Sequence, residues 1–388
     1  MIGARSTPQL HLVAVDEVQS ALAAALAGGP PVAPLPQDAT ERRRAVEMLQ
    51  PGAAVAEPDI AAVVATSGST GLPKGVLLSG SAIKASAAAT SRRLGGDGSW
   101  ALALPSYYVA GLMVLARCLV SGTTAHPMSP DLSDLPAVLP RMRGRRYISL
   151  VPTQLVRALA HPETADALAG FDTVLIGGAA ADPALLEQAA DAGIAVVTTY
   201  GMSETCGGCV YDGAPLACTE VALEPSTHQV LLRGPMLFSG YRLRPDLTSA
   251  ALADGALRTK DRGDLVGGRL RVLGRVDDVV ISGGLNVDLA EVERACQAWL
   301  GSRGEVAVVG VADAEWGVRV VAVTDAAGSL TELRSFVQDA VPGYAAPRQL
   351  VRLTSLPRTP SGKVDRQRLI EAVGQAARDH DSAAGAIS

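Results

Sequence analysis

Aromatic side chains make up only 3% of this 388-residue chain: three tryptophans, seven tyrosines and three phenylalanines. With hydrophobic residues at 48%, the interior must be filled by alanine and aliphatic side chains, and the length allows two or three domains. Abundant alanine and glycine read as a GC-rich coding bias more than as the mark of a special fold. An excess of one charge is also lacking. The chain has 34 Lys plus Arg against 39 Asp plus Glu, a formal net charge of −5 with both signs mixed, which gives no basic footprint for nucleic acid. No apolar run approaches the ~20 residues of a membrane span, and the first residues lack an apolar stretch of signal-peptide length. A cytoplasmic protein is expected. The five cysteines, at 118, 206, 209, 218 and 296, are odd in number and scattered, which argues against a disulfide framework. Cys206 and Cys209 form a C-x-x-C, but a structural zinc needs a second pair, which Cys218 without a nearby histidine does not supply.

What the chain does have is a glycine-punctuated stretch from Val63 to Leu78, V-V-A-T-S-G-S-T-G-L-P-K-G-V-L-L. A β-branched run leads into a small-residue turn, and a second apolar run comes after it. Gly68, Gly71 and Gly75 let backbone N–H groups turn toward an anion, while Thr66, Ser67, Ser69 and Thr70 add hydroxyls and Lys74 adds a cation. Such donors suit a polyphosphate. The spacing fits neither the Walker loop nor a Rossmann fingerprint. Taken alone, the stretch also fits a flexible turn between strands.

Along the chain, residues 10–27 read as alternating and then helical, 28–37 as a Pro-rich connector, and helices are expected at 40–50 and 79–94. Three buried runs stop at stretches that could hold a ligand, since open α/β sheets bind at strand C-termini. Trp100–Leu104 leads to Pro105-Ser106-Tyr107-Tyr108, and Thr173–Ile176 to Gly177-Gly178-Ala179-Ala180. Ile194–Thr199 ends in Tyr200-Gly201-Met202-Ser203-Glu204-Thr205. There a ring, a close-approach glycine, a hydroxyl and a carboxylate could stack on a base, contact a phosphate and help hold Mg²⁺. In isolation Glu204 reads as a solvated loop acid. Beyond Val230 come short strands, then Leu257-Arg258-Thr259-Lys260-Asp261 and Arg271 to Gly284. A small α/β module is next, with helices at 289–300 and 330–341 and strands at 306–311 and 319–324. Pro360-Ser361-Gly362-Lys363-Val364 lies after it, and residues after about 371 read as a frayed tail.

The segment T-S-G-S-T-G-x-P-K-G resembles the phosphate-loop signature of the adenylate-forming enzymes, the acyl-CoA synthetase and luciferase superfamily. The stretches around Tyr108, Tyr200, Tyr241, Asp261, Arg275 and Lys363 match further motifs of that family in its order. The resemblance implies an α/β fold: a large domain of layered α/β subdomains over residues 1–276, its N-terminal subdomain shortened, and a small mobile α+β domain over 277–388. It implies Gly178 and Ala179 at the nucleotide, Gly178 also at the acyl group, and Tyr200 with Gly201 against the adenine. Ser203 would meet the α-phosphate or acyl carboxylate, and Glu204 would face magnesium. Asp261 would hold the ribose, Arg275 the ribose or phosphate, and Asp277 would be the hinge. Lys363 would reach the charge that develops between carboxylate and α-phosphate, and Gly283 and Gly284 would later face a pantetheine thiol. Tyr108 stands where the family often has histidine; a phenol cannot become a cation as imidazole can. Lys260 replaces the usual glycine beside Asp261, and Leu257 an aromatic residue.

The reaction so implied is an ATP-dependent, Mg²⁺-assisted acid–thiol ligation through acyl-AMP, with coenzyme A as co-substrate. The segment from Tyr200 to Leu216, Y-G-M-S-E-T-C-G-G-C-V-Y-D-G-x-P-L, looks like that of the compact actinobacterial o-succinylbenzoate–CoA ligases of menaquinone synthesis. In that reading Gly207 and Gly208 let a flat aromatic acid lie on the backbone, with Thr153 and Gln154 as walls. Two other readings stand beside it: a ligase for another aryl or short acyl acid, and a non-catalytic adenylate-binding or interaction protein. The expected partners are a carboxylic acid, ATP and coenzyme A, with no nucleic acid and no membrane span; a homodimer stays open.

Overall fold

The computed structural model describes residues 9–67, 73–359 and 364–385. They divide into two compact units. The first comprises Met1–Ala222, Leu231–Thr259 and Leu265–Arg271, and the second Leu223–Val230, Lys260–Asp264 and Val272–Ser388.

The first unit holds two sheets. In the five-stranded one the order is His11–Val13, Val32–Pro34, Ile60–Ser67, Pro73–Ser79, Gly240–Tyr241. The first three run parallel, and Ile60–Ser67 then turns back on Pro73–Ser79 as an antiparallel hairpin with Thr66 opposite Lys74. The apolar runs that flank the glycine-rich turn are therefore two neighbouring central strands, with Val63, Val64, Val76, Leu77 and Leu78 buried. One expectation is corrected here. The proline-rich stretch 28–37 contains the strand Val32–Pro34, whose Val32 and Ala33 are fully buried. Pro34 is tolerated because it closes the strand, while the two apolar residues before it fill a slot between two partners.

The seven-stranded sheet has the order Ala214–Pro215, Gly207–Tyr211, Val196–Met202, Thr173–Ile176, Arg145–Leu150, Gly98–Leu102, Ala125–Pro127. Its last five strands are parallel, and Gly207–Tyr211 returns antiparallel beside Val196–Met202. Helices between the parallel strands cover it, and one core gathers Ile148, Leu150, Leu155, Leu168, Val174 and Ile176. Helix starts are set by local chemistry: Asp38 accepts the N–H groups of Thr40 and Glu41, and the Ser79 hydroxyl accepts that of Ala82.

In the second unit, Leu285–Asp288, Val279–Ser282, Gly317–Thr324 and Val306–Asp313 form a sheet, with Gln349–Arg352 parallel to Gly317–Thr324. The period-two alternation of its central strands assigns both faces. Val308, Val320 and Ala322 pack under the helices Leu289–Leu300 and Leu330–Val337, and Ala307, Val309, Val321 and Val323 pack against Leu369 and Val373. Those two residues lie on the helix Arg366–Gly385, which continues through the stretch after about 371 that the sequence reads as a frayed tail. Leucine and valine at i and i+4 supply the apolar stripe that docks it.

Candidate active site

Four parallel strands of the seven-stranded sheet end side by side, and the turns leaving them form one edge. Gly98–Leu102 runs on to Tyr107 and Tyr108, Arg145–Leu150 to Val151, Thr173–Ile176 to Gly178 and Ala179, and Val196–Met202 to Ser203 and Glu204. This is the edge at which open α/β sheets take ligands. The fold thus gathers Tyr108, Gly178, Ala179, Tyr200, Gly201, Ser203 and Glu204 at one end of one sheet.

Close packing shapes each turn. A Cβ on Gly111 would sit 2.3 Å from the Pro105 carbonyl oxygen, so the turn bearing Tyr108 folds back only with glycine there. The Tyr107 and Tyr108 rings lie 4.6 Å apart at 56°. Burial, with Glu41 adding negative charge, pushes both phenols above the ordinary tyrosine range, so they remain neutral donors. Between them and the strand, the Ser106 hydroxyl is buried with no hydrogen-bond partner among the described residues. Gly178 takes φ +81° and, with Ala179, is exposed.

The glycines after Tyr200 have internal reasons. A Cβ on Gly201 would lie 2.1 Å from the Gly207 carbonyl oxygen, and one on Gly208 2.9 Å from the Tyr211 ring. The close approach at Gly201 is therefore to the returning strand of its own hairpin. Gln154, read as a pocket wall, is buried: its amide donates to the carbonyls of Ala103 and Pro130 and accepts the Val151 N–H. It braces the sheet edge from behind. Cys206 and Cys209 are buried free thiols, and desolvation pushes Cys209 up to about 12, so it stays protonated.

The phosphate-loop hairpin meets this edge at the Lys74 side chain. Lys74 Nζ sits 4.8 Å from the centroid of the Tyr241 ring, and the Tyr241 hydroxyl donates to Glu204 Oε1 at 2.7 Å. The Thr66 hydroxyl donates to the Lys74 carbonyl at 3.4 Å. Arg242, next to Tyr241, is 3% exposed. Its guanidinium donates to the carbonyls of Leu49, Gln50, Ala53 and Ala54, and its backbone N–H to that of Gly75. It ties the hairpin to the end of the helix Ala39–Leu49. Gly68, Ser69, Thr70, Gly71 and Lys363 lie outside the described residues, and of Ser67 only the backbone is described, opposite Pro73.

Magnesium fits the donors present. It takes hard oxygen ligands and commonly one or two carboxylates with substrate phosphates and water. Glu204 offers such a carboxylate, one oxygen of which the phenol orients. Among the described residues no cluster of three or more His, Cys, Asp or Glu could cage a metal, so phosphate oxygens and water would have to complete the shell.

In the second unit the predicted charges form one group. Arg275 is bidentate on Asp277, at 2.8 and 3.0 Å, and 3.9 Å from Asp261. Lys260, the departure from the family's glycine, reaches Asp277 at 3.3 Å. Gly283 and Gly284, with φ of +58° and +80°, form the two-residue turn joining Val279–Ser282 to Leu285–Asp288. A Cβ on Gly283 would also strike Trp316 at 2.8 Å. What reasoning from sequence missed is Tyr241. It closes the G-Y segment, but its partners lie 37 and 167 residues away in sequence (241 − 204 and 241 − 74), a pairing that spacing does not reveal.

Known proteins resemble the chain over most of its length. Residues 4–242 match the AMP-binding enzyme family, and residues 303–363 the AMP-binding enzyme C-terminal domain. A Mycobacterium tuberculosis protein named "probable 2-succinylbenzoate–CoA ligase" is 43% identical over 327 residues, covering 81% of this chain and 85% of that protein. The structure of Bacillus subtilis o-succinylbenzoate CoA synthetase in complex with its acyl-adenylate intermediate superposes with a TM-score of 0.76 at 26% identity, over 94% of this chain and 88% of that one. The same enzyme in complex with ATP and magnesium ion gives 0.75 at 25% identity, over 94% and 90%. Among the described residues no helix is long and apolar enough to cross a membrane.

Proposed function

Because this chain belongs to the AMP-binding enzyme family, we propose that it is an AMP-forming acid–CoA ligase that turns o-succinylbenzoate into o-succinylbenzoyl-CoA, the activity named for its 43%-identical relative. The observation that carries the reading is the junction of Lys74, Tyr241 and Glu204, which sets the phosphate-loop hairpin against the ligand-binding edge of the parallel sheet. A triphosphate needs a cation and a metal-bearing carboxylate near one another, and here one ring has a lysine ammonium over its face and a carboxylate at its hydroxyl.

The chemistry needs no protein nucleophile. A carboxylate oxygen of the acid bonds to the α-phosphorus of ATP as the bond from that phosphorus to the bridging oxygen breaks, and pyrophosphate leaves. The sulfur of coenzyme A then bonds to the acyl carbon, AMP departs, and the thiol proton passes to solvent. Magnesium, when bound, neutralises phosphate charge. Positioning and charge stabilisation are the protein's share. Lys74 and the loop hydroxyls hold the phosphates, Tyr200 and Gly201 the adenine, and Ser203 the reacting carboxylate or α-phosphate. Asp261 and Arg275 serve the ribose, Lys363 the developing charge, and Asp277 the hinge that exchanges one half-reaction for the other, when Gly283 and Gly284 face the thiol. Tyr108, Gly178, Gly207 and Gly208 shape the acyl side. The same reading puts the protein in the cytoplasm, with ATP and coenzyme A at hand.

The test is a steady-state assay with ATP, Mg²⁺ and coenzyme A, offering o-succinylbenzoate against benzoate and succinate. Thioester and AMP should form with o-succinylbenzoate at the highest kcat/KM. Preference for another acid transfers the reading to that acid, and absence of any acid-dependent pyrophosphate exchange overturns it.

A further inference from the structure

We infer that Tyr241 is a positioning residue for adenylation: its hydroxyl orients the carboxylate of Glu204 toward the metal, and its ring face seats the ammonium of Lys74. The inference rests on the adenylation reading above and adds to it a residue that spans both halves of the triphosphate site.

Three features make the ring a fixed reference point. It is 7% exposed, its ring lies 4.8 Å from that of Phe238 at 62°, and its backbone pairs with Val76 while its N–H donates to the Thr248 hydroxyl. Glu204 is tied to the same segment by its backbone, since the Phe238 N–H donates to the Glu204 carbonyl at 2.9 Å. The carboxylate and the phenol therefore belong to one locally braced piece, and the 2.7 Å hydrogen bond sets the rotation of the carboxylate within it. An ionised carboxylate has two oxygens and about four acceptor sites, so a phenol on Oε1 leaves the other oxygen for a cation. The two electrostatic features of the ring suit its two neighbours. The O–H dipole faces the anion, and the quadrupole's negative face lies toward the cation 4.8 Å away. Sequence spacing places none of this together; the pairing of Gly240–Tyr241 with Pro73–Ser79 does.

The substitution Tyr241→Phe keeps ring, packing and π face and deletes only the donor; Tyr241→Leu deletes the π face as well. Both go into the full chain. ATP binding is followed by calorimetry across a magnesium titration with no acid present, beside pyrophosphate exchange, thioester formation and thermal melting. Since a hydrogen bond to a charged group is a strong one, Tyr241→Phe should raise the magnesium concentration for half-maximal ATP binding about tenfold. It should lower kcat for exchange more than it raises the KM for the acid, with an unchanged melting temperature and unchanged metal-free ATP affinity. Tyr241→Leu should in addition weaken metal-free ATP binding, through Lys74. In the background of Glu204→Gln, the Phe substitution should add nothing to the loss of magnesium response. An unaltered magnesium titration in Tyr241→Phe overturns the inference. The metal and nucleotide arm needs no acid, so a failed substrate assignment shows only in the thioester assay and cannot be mistaken for that result.

Discussion

Glu204 takes its hydrogen bond from a phenol that is 7% exposed, whereas Asp277 is held by Arg275 and Lys260 with 46% of its side chain in solvent. Around Glu204 the links are buried: Arg242 satisfies four carbonyls, and Thr205 bridges the turn from the Met202 N–H to the Gly207 carbonyl. Such bonds are costly to leave unmade, because the stranded partner loses water without replacement. Around Asp277 the charges stay in contact with solvent, which can take over when a partner leaves, so each pair is weak and exchangeable. The first region is built to remain as it is. The second is built so that its contacts can be traded at low cost, which is what the hinge role proposed for Asp277 requires.

The comparison can be broken most forcefully at Lys363. Lys363→Ala should slow adenylation by a factor of about 10² to 10³, the usual scale for a lost charge-stabilising contact. Thioester formation from supplied acyl-adenylate should stay near that of the natural chain, and equal loss of both half-reactions would remove the lysine from the first step alone. Next comes the buried brace. Arg242→Ala strands four carbonyls and should destabilise the protein by about 3 kcal/mol or more, read from urea unfolding; a loss as small as that of a surface charge would show the first region to be no more fixed than the second. Gly201→Ala should cost about 1–3 kcal/mol, because the added methyl meets the backbone of Gly207 instead of a flexible side chain. Melting temperature reports it.

The smallest effect is expected at Lys260→Gly, which restores the family's residue. Stability should change by less than about 1 kcal/mol, while the ratio of the two half-reaction rates, by rapid quench, should move if the pair with Asp277 biases the hinge. The pH dependence has a definite sign. Burial raises the Asp277 carboxyl, but Arg275 and Lys260 outweigh it and hold it below the ordinary range. A depressed acid contributes stability above its unfolded value, near pH 4, and loses it as pH falls through the lower folded value. Acid unfolding of Lys260→Gly should therefore differ from the natural chain only above that window, and converge with it below.

How much of this was legible beforehand differs by region. The hairpin around Lys74 was readable because β-branched runs on either side of small residues announce two strands and a turn. The edge holding Tyr108, Gly178 and Glu204 was readable because continuous apolar runs ending in glycine or an aromatic mark parallel strands, whose carboxyl ends line up at the edge where open α/β sheets take ligands. Val32–Pro34 was hidden by its prolines, and the helix Arg366–Gly385 by a composition that only Leu369 and Val373 redeem. Gly201 and Gly208 also have an internal reason that the sequence did not show, the packing of Gly207 and Tyr211 against them, since a glycine that admits a ligand and one that admits a neighbouring strand look the same in one dimension.

By itself, then, the order of residues determined which segments are strands, where the backbone must turn, and that hydroxyls, glycines and a lysine gather where a polyphosphate could be gripped. These are local properties, set by side-chain period and by the φ/ψ each residue permits. Only the tertiary structure decided that Tyr241 stands between Lys74 and Glu204, that Arg242 closes the end of a distant helix, and that Lys260 meets Asp277. Each joins a strand to a turn, a helix end or another strand that is not its neighbour in the chain, and sheet register, which helps set such contacts, is itself set by the packing of the whole layer.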